Sequence, residues 1–199
     1  MNKQLIKDAA RAVRNNRHEV DGARIFVPGV NMFFGGIMSA SYAPPGGEFG
    51  PRHIAPNRVV LEGRNLILNL LRGASAPALF LAPFSGDVEP ADNWTGANFS
   101  ANATEIVAYT SATRVPWTTV AATTAQLTNA AALAAAQITF NAGGPYIVRG
   151  LALLGSNAKG GGAGPLIVAA RLDDDLTGMV GGGKLQLQYD LNALDEADA

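Results

Sequence analysis

"KLQLQYDL", residues 184–191, is the stretch on which the fold turns. Leu185, Leu187, Tyr189 and Leu191 fall on one side of an extended chain, and Gln186, Gln188 and Asp190 on the other. A period of two belongs to a half-buried strand of an antiparallel sheet, with one face on a core and the other toward water. Back along the chain, short apolar runs recur between Gly, Pro and Asn clusters: "PALFLAPF" (77–84), "TEIVAY" (104–109), "AQITF" (136–140), "YIVRGLALLG" (146–155) and "PLIVAARL" (165–172). This punctuation predicts a β-sandwich or an open barrel. The reading adopted is a mainly β, antiparallel, jelly-roll-like sandwich over residues 57–194. "NRVVLEGRNLILNLLRG" (57–73) opens it with a helix from about Leu61, closed by Gly73. An acidic tail, residues 195–199, is expected to fray.

Upstream the pattern changes. Residues 3–17, "KQLIKDAARAVRNNR", place Leu5, Ile6, Ala9, Ala10 and Val13 at helical spacing opposite Lys7, Arg11 and Arg14. So short a helix is marginal alone in water and must dock on its own chain or on a neighbour. From 18 to 56 the chain is rich in Gly and Pro yet carries aromatics, which flexible linkers lack. It is read as an extended arm, wrapping its own domain or burying its apolar side chains in a partner. The second is preferred, with Phe26, Phe33, Phe34, Tyr42 and Phe49 as partner-binding anchors. Residues 1–56 are thus expected to form an N-terminal helix and anchoring arm.

Composition narrows the function. No cysteine is present, which excludes disulfides and thiolate metal sites. His18 and His53 are too few for a histidine metal site. Charged residues make up 16%, against the ~25% of an average soluble domain. Such a chain suits a protein packed against neighbours. Residues 1–64 carry nine Lys/Arg and five Asp/Glu, the remainder six and eleven. This mild asymmetry falls short of the basic stripe of a nucleic-acid binder. Neither a secretory leader nor an apolar run near the ~20 residues of a membrane span is evident. A chain made in a cytoplasm, with no membrane partner, is expected.

Candidate chemistry is thin. "GSNAKGGGAGPLIVAARL" (155–172) has five glycines and Lys159 before an apolar run. A phosphate loop needs its glycines before the lysine, Ser or Thr after it, and a helix beyond. Here the glycines follow and a strand comes next, so the loop is read as a hairpin turn. "DDD" (173–175) reads as a solvated turn, since ligands for calcium need alternate spacing. Asp87, Glu89 and Asp92 are better spaced and read as a surface loop on account of the proline after Glu89, with a weak calcium site there as the alternative. Three sequons begin at Asn93, Asn98 and Asn102, in a polar loop. Trp94, Trp117, Tyr109 and Tyr189 are read as core or inter-subunit packing in preference to a sugar groove. No catalytic constellation, cofactor site or metal site emerges, and a non-enzymatic role is expected.

Several passages resemble a family of virion structural proteins of tailed bacteriophages: "VVLEGRNLILNLLRG", "ALFLAPFSG", "NATEIVAYTSATRVPWT", "YIVRGLALLGSNAKGGGAGPLIVAARL" and "GGGKLQLQYDLNAL". The resemblance covers residues 57 to 194 and leaves 1–56 without a counterpart. It implies a building block of the virion, a tail fibre or head–tail connector accessory, homo-oligomeric and attached to portal, adaptor, tail-tube or capsid proteins. A capsid decoration protein, or a carbohydrate-binding module contacting host glycans, is the alternative.

Overall fold

The alternating stretch at Lys184 begins β10 (Lys184–Asp195) in the computed structural model, which describes residues 32–195. Leu185, Leu187 and Tyr189 are fully buried, while Gln186, Gln188 and Asp190 stay half-buried on the other face. The neighbour of β10 is β1 (Met32–Ala43), antiparallel from Met32↔Asp195 to Ala43↔Lys184. β2 (His53–Pro56) lines the far edge of β1, and β6 (Gln126–Thr128) and β7 (Gln137–Thr139) pair with the other side of β10.

A second sheet runs in the order β3 (Arg58–Val59), β9 (Leu166–Met179), β8 (Tyr146–Leu154), β4 (Phe80–Phe84) and β5 (Val115–Pro116), every pairing antiparallel. The protein is mainly β, with two antiparallel sheets. One core joins them, drawing Met38, Leu185 and Leu187 from the first and Leu151, Leu153 and Val168 from the second. A smaller cluster forms on the other face of the second sheet, from Ala152, Leu154, Leu166, Phe84, Trp94 and Phe99. β8 is therefore apolar on both faces, and so its sequence does not alternate.

Two helices complete the described residues. α1 (Leu61–Leu71) starts where the sequence places it, and Gly73 beyond it takes the left-handed conformation, φ +91°. α2 (Gly96–Ala103) occupies what reads in sequence as a polar loop. Thr95 Oγ1 accepts from the Asn98 N–H at 3.3 Å, and Asn98 Oδ1 accepts from the Thr95 N–H at 2.7 Å. This reciprocal cap satisfies two otherwise orphaned donors. The sequon residue Asn98 thus serves to start a helix. Phe84, Trp94 and Phe99 meet edge-on beside it, with ring centroids 6.2–6.5 Å apart.

Four expectations need correction. The domain boundary at 57 does not exist, because residues 32–56 supply β1 and β2, and Asn57 is buried with its N–H donating to the Gly36 carbonyl at 3.0 Å. The boundary at 195 likewise falls within β10. "TEIVAY" makes only isolated bridges, Phe84↔Glu105 and Tyr109↔Phe140, because Glu105 turns inward to an arginine. Asp173–Asp175 lie inside β9, not in a turn: between Gly150↔Arg171 and Val148↔Leu176, β8 advances two residues while β9 advances five. The surplus bulges outward and leaves Asp173 and Asp174 exposed. The expected helix at 3–17 and the frayed residues 196–199 lie outside the described residues.

Candidate interaction surface

Of the five expected anchors, the structure describes the surroundings of two, Tyr42 and Phe49. Phe26 lies outside the described residues. Phe33 and Phe34 sit in the β1 backbone opposite Leu194 and Ala193. The Tyr42 ring packs 6.5 Å from that of Phe140, and its hydroxyl oxygen accepts from the Val180 N–H at 3.1 Å. Phe49 is half-buried in the loop after β1. Tyr42 is half-buried, with its ring and hydroxyl contacts made within its own chain.

The glycine-rich segment 155–165 is the hairpin between β8 and β9, closed by the Gly155 N–H donating to the Pro165 carbonyl at 2.8 Å. Its lysine faces inward. Lys159 Nζ donates to the carbonyls of Val107, Tyr109 and Ser111 at 3.1, 2.9 and 2.5 Å, and stands 4.1 Å from the centroid of the Tyr109 ring. Burial pushes the Tyr109 phenol well above its ordinary range, with the Glu105 charge adding and Arg114 opposing, so the ring beneath the ammonium is neutral.

Below the hairpin lies a fully buried ion pair. Arg114 Nε and Nη2 donate to the two carboxylate oxygens of Glu105, each at 2.8 Å. The same guanidinium donates to the carbonyls of Ser156 and Gly161, both at 3.0 Å, while Glu105 accepts from the Gly160 N–H at 3.0 Å. A loop held this way keeps its cation and its amides for itself and offers no phosphate cradle. Nothing in residue spacing marks Glu105 and Arg114 as partners.

Of the carboxylates singled out in sequence, Asp87, Asp92 and Asp175 meet arginines. Arg171 pairs with Asp175 at 2.7 Å and Asp87 at 3.0 Å, and Arg149 Nε reaches Asp175 at 2.8 Å. Desolvation favours the neutral acid at Asp175, but the hydrogen bonds and charges of Arg171 and Arg149 prevail and hold its carboxyl below the ordinary range. A depressed folded-state pKa stabilises the fold above the unfolded value near 3.8, and that contribution is lost as pH falls through the folded value. Asp175→Asn is expected to lower stability at neutral pH by about 1–2 kcal/mol, the two arginines being only part-exposed. Thermal melts at neutral and at acid pH check it, because the deficit must shrink as pH falls through the folded value. An equal deficit at both would assign the effect to packing.

Both tryptophans are buried. Trp94 stands in the aromatic cluster, and the Trp117 Nε1–H donates to the Tyr189 carbonyl at 3.0 Å. Trp94 is closed off within its cluster, and Trp117 forms part of a cavity wall beside α1. Among the described residues no group of three or more His, Asp or Glu gathers to hold a metal, and no helix is long and apolar enough to cross a membrane.

One flank is incomplete. α1 packs on β9 at Gly63, where a Cβ would collide with the Ile167 backbone, and Gly63 is the helix's only buried residue. Leu61, Leu68 and Leu71 are 52, 60 and 78% exposed, and Val120 is 74% exposed. Beside the helix a cavity of about 500 Å³ opens, walled by Leu66, Ile67 and Leu70 of α1, by Trp117, and by Leu127 and Leu191 of the first sheet. The open apolar cavity, and the exposed leucines of α1 outside its wall, mark an interaction surface. These features define a two-sheet β protein with an uncovered apolar flank and with its buried charges committed to structure. Comparisons with family models, with curated proteins and with solved structures gave no match.

Proposed function

We propose that this chain is a non-enzymatic structural subunit of a tailed-phage virion, a tail fibre or head–tail connector accessory, built on a jelly-roll-like sandwich and attached through its N-terminal residues. The observation that carries the reading is the exposed apolar set Leu61, Leu68 and Leu71 on α1, outside the cavity wall, a surface suited to permanent contact. The pairing supports the jelly-roll-like topology: β1 with β10, β3 with β9 and β4 with β8 nest in sequence. Carboxylates committed to arginines agree with a structural role. With residues 32–56 in the sheets, attachment falls to residues 1–31, with Phe26 as the aromatic anchor. Copies repeated around a ring bind more tightly than any single contact allows.

Immunogold labelling of intact particles tests this, together with incorporation of a chain that begins at Met32. Label at the tail or neck, and loss of label on truncation, are expected. Label over the whole head would make the chain a decoration protein, and particles without label would end the virion reading.

A further inference from the structure

We propose that the cavity beside α1 is the seat of residues 3–17 of the same chain, lying along α1 as an amphipathic helix. The two surfaces match in chemistry and length. Leu5, Ile6, Ala9, Ala10 and Val13 make a stripe that is helical in spacing and apolar throughout. From Leu5 to Val13 a helix rises about 12 Å, and Leu61 to Leu71 of α1 spans about 15 Å. Lys7, Arg11 and Arg14 would keep the opposite face in water.

The direction of the chain brings this segment to the cavity. Leu191 lines the cavity, and its partner across the sheet is Gly36. β1 begins four residues before Gly36, at Met32, so the strand's first residue stands about 13 Å along the sheet from the cavity wall. Residues 18–31 then link the two, and fourteen residues reach up to about 46–50 Å. A folded body of residues 32–195 has a radius of gyration of about 15 Å. The tether therefore reaches any part of its own flank. A tethered segment meets its seat at an effective concentration in the millimolar range, far above that of a second copy in dilute solution. The same contact lifts the marginal stability of an isolated short helix and covers Leu66, Ile67 and Leu70 of α1.

The chain has no cysteine, so introduced pairs report alone. Ala9→Cys with Leu70→Cys places one thiol on the apolar stripe and one in the wall of the cavity. Lys7→Cys with Leu70→Cys places the first on the opposite face and shares the same tether. Under mild oxidation of the full-length chain, the Ala9 pair is expected to close within one chain on the order of tenfold faster than the Lys7 pair. Equal rates from the two faces would overturn the seat, and closure only between chains would give it to a second copy. A second readout is 1-anilinonaphthalene-8-sulfonate, an apolar dye. Ile6→Asp with Val13→Asp should raise its binding several-fold over the native chain, and unchanged binding would overturn the proposal. Purified protein suffices for both, so the result stands apart from where particles are labelled.

Discussion

A chain lacking residues 1–56 is expected not to fold, whereas a chain beginning at Met32 is expected to keep both sheets. The first deletion removes β1 and β2, and with them the buried side chains of Met38, Ala40, Ala43 and Ala55. It strips every β1 hydrogen bond from one side of β10, twelve residues long in the native ladder. It also uncovers Leu185, Leu187 and Tyr189, whose apolar area contributes about 1.5–3 kcal/mol for each large side chain. Several such losses exceed the ~5–15 kcal/mol by which a domain of this size is stable. Beginning at Met32 spares all of this and forfeits only what residues 1–31 contribute, including the seat proposed beside α1, so a lower melting temperature with the same β signature is expected. Far-UV circular dichroism and urea titration separate the two truncations. Cooperative unfolding of the shorter chain would mean that β1 is dispensable and would restore residues 32–56 to the arm.

That contrast shows where sequence patterning carries and where it stops. β10 is legible because a single face is buried, which makes Leu, Gln, Leu, Gln, Tyr, Asp alternate. In β8 the alternation is masked: Leu151 and Leu153 face one core, Ala152 and Leu154 the other. In β1 the polar positions Ser39 and Ser41 are buried along with Met38 and Ala40, and the paired glycines look like breakers. Gly36 is there for its neighbours, since the Tyr189 ring and the Asp190 carbonyl occupy the space of a side chain. A residue unfavourable in a strand on local grounds is required by tertiary contact. α2 is hidden for another reason, as its cap is made by Thr95 and Asn98, residues common in any polar loop. The cavity has no sequence signature, because it arises only where α1, Trp117 and the first sheet fail to meet.

Two passages distant in sequence, "TEIVAYTSATRVPWT" (104–118) and "GSNAKGGGAG" (155–164), are brought together by the fold. Glu105 and Arg114 come from the first, and the backbone of Ser156, Gly160 and Gly161 from the second. Lys159 reaches back from the second to three carbonyls of the first. Read together they are one clamp, a means of holding a long glycine-rich hairpin rigid without burying apolar side chains in it. Such a loop can present a fixed shape to a neighbour, which is what a subunit of an assembly requires.

The clamp sets the largest point-mutation effects expected in this protein. Arg114→Met leaves the Glu105 carboxylate buried with only the Gly160 amide, and Glu105→Gln leaves the guanidinium charge without its counterion. Each is expected to cost about 3–5 kcal/mol, the range for breaking one side of a buried pair. For a chain of this length that lowers the melting temperature by roughly 6–20 °C. Replacing both, Glu105→Leu with Arg114→Met, removes the two charges together and should recover part of the loss. Recovery stays incomplete, because the carbonyls of Ser156 and Gly161 and the amide of Gly160 then lose their partners in a dry site. Urea unfolding of the two single variants and the double variant measures the coupling directly. A single-variant loss below about 1 kcal/mol is the behaviour of a solvated surface pair; it would mean that water reaches the guanidinium and that the hairpin is held by Lys159 alone. A double variant less stable than either single one would instead place the larger share of the clamp in its hydrogen bonds to the hairpin backbone, with the ion pair serving to position them.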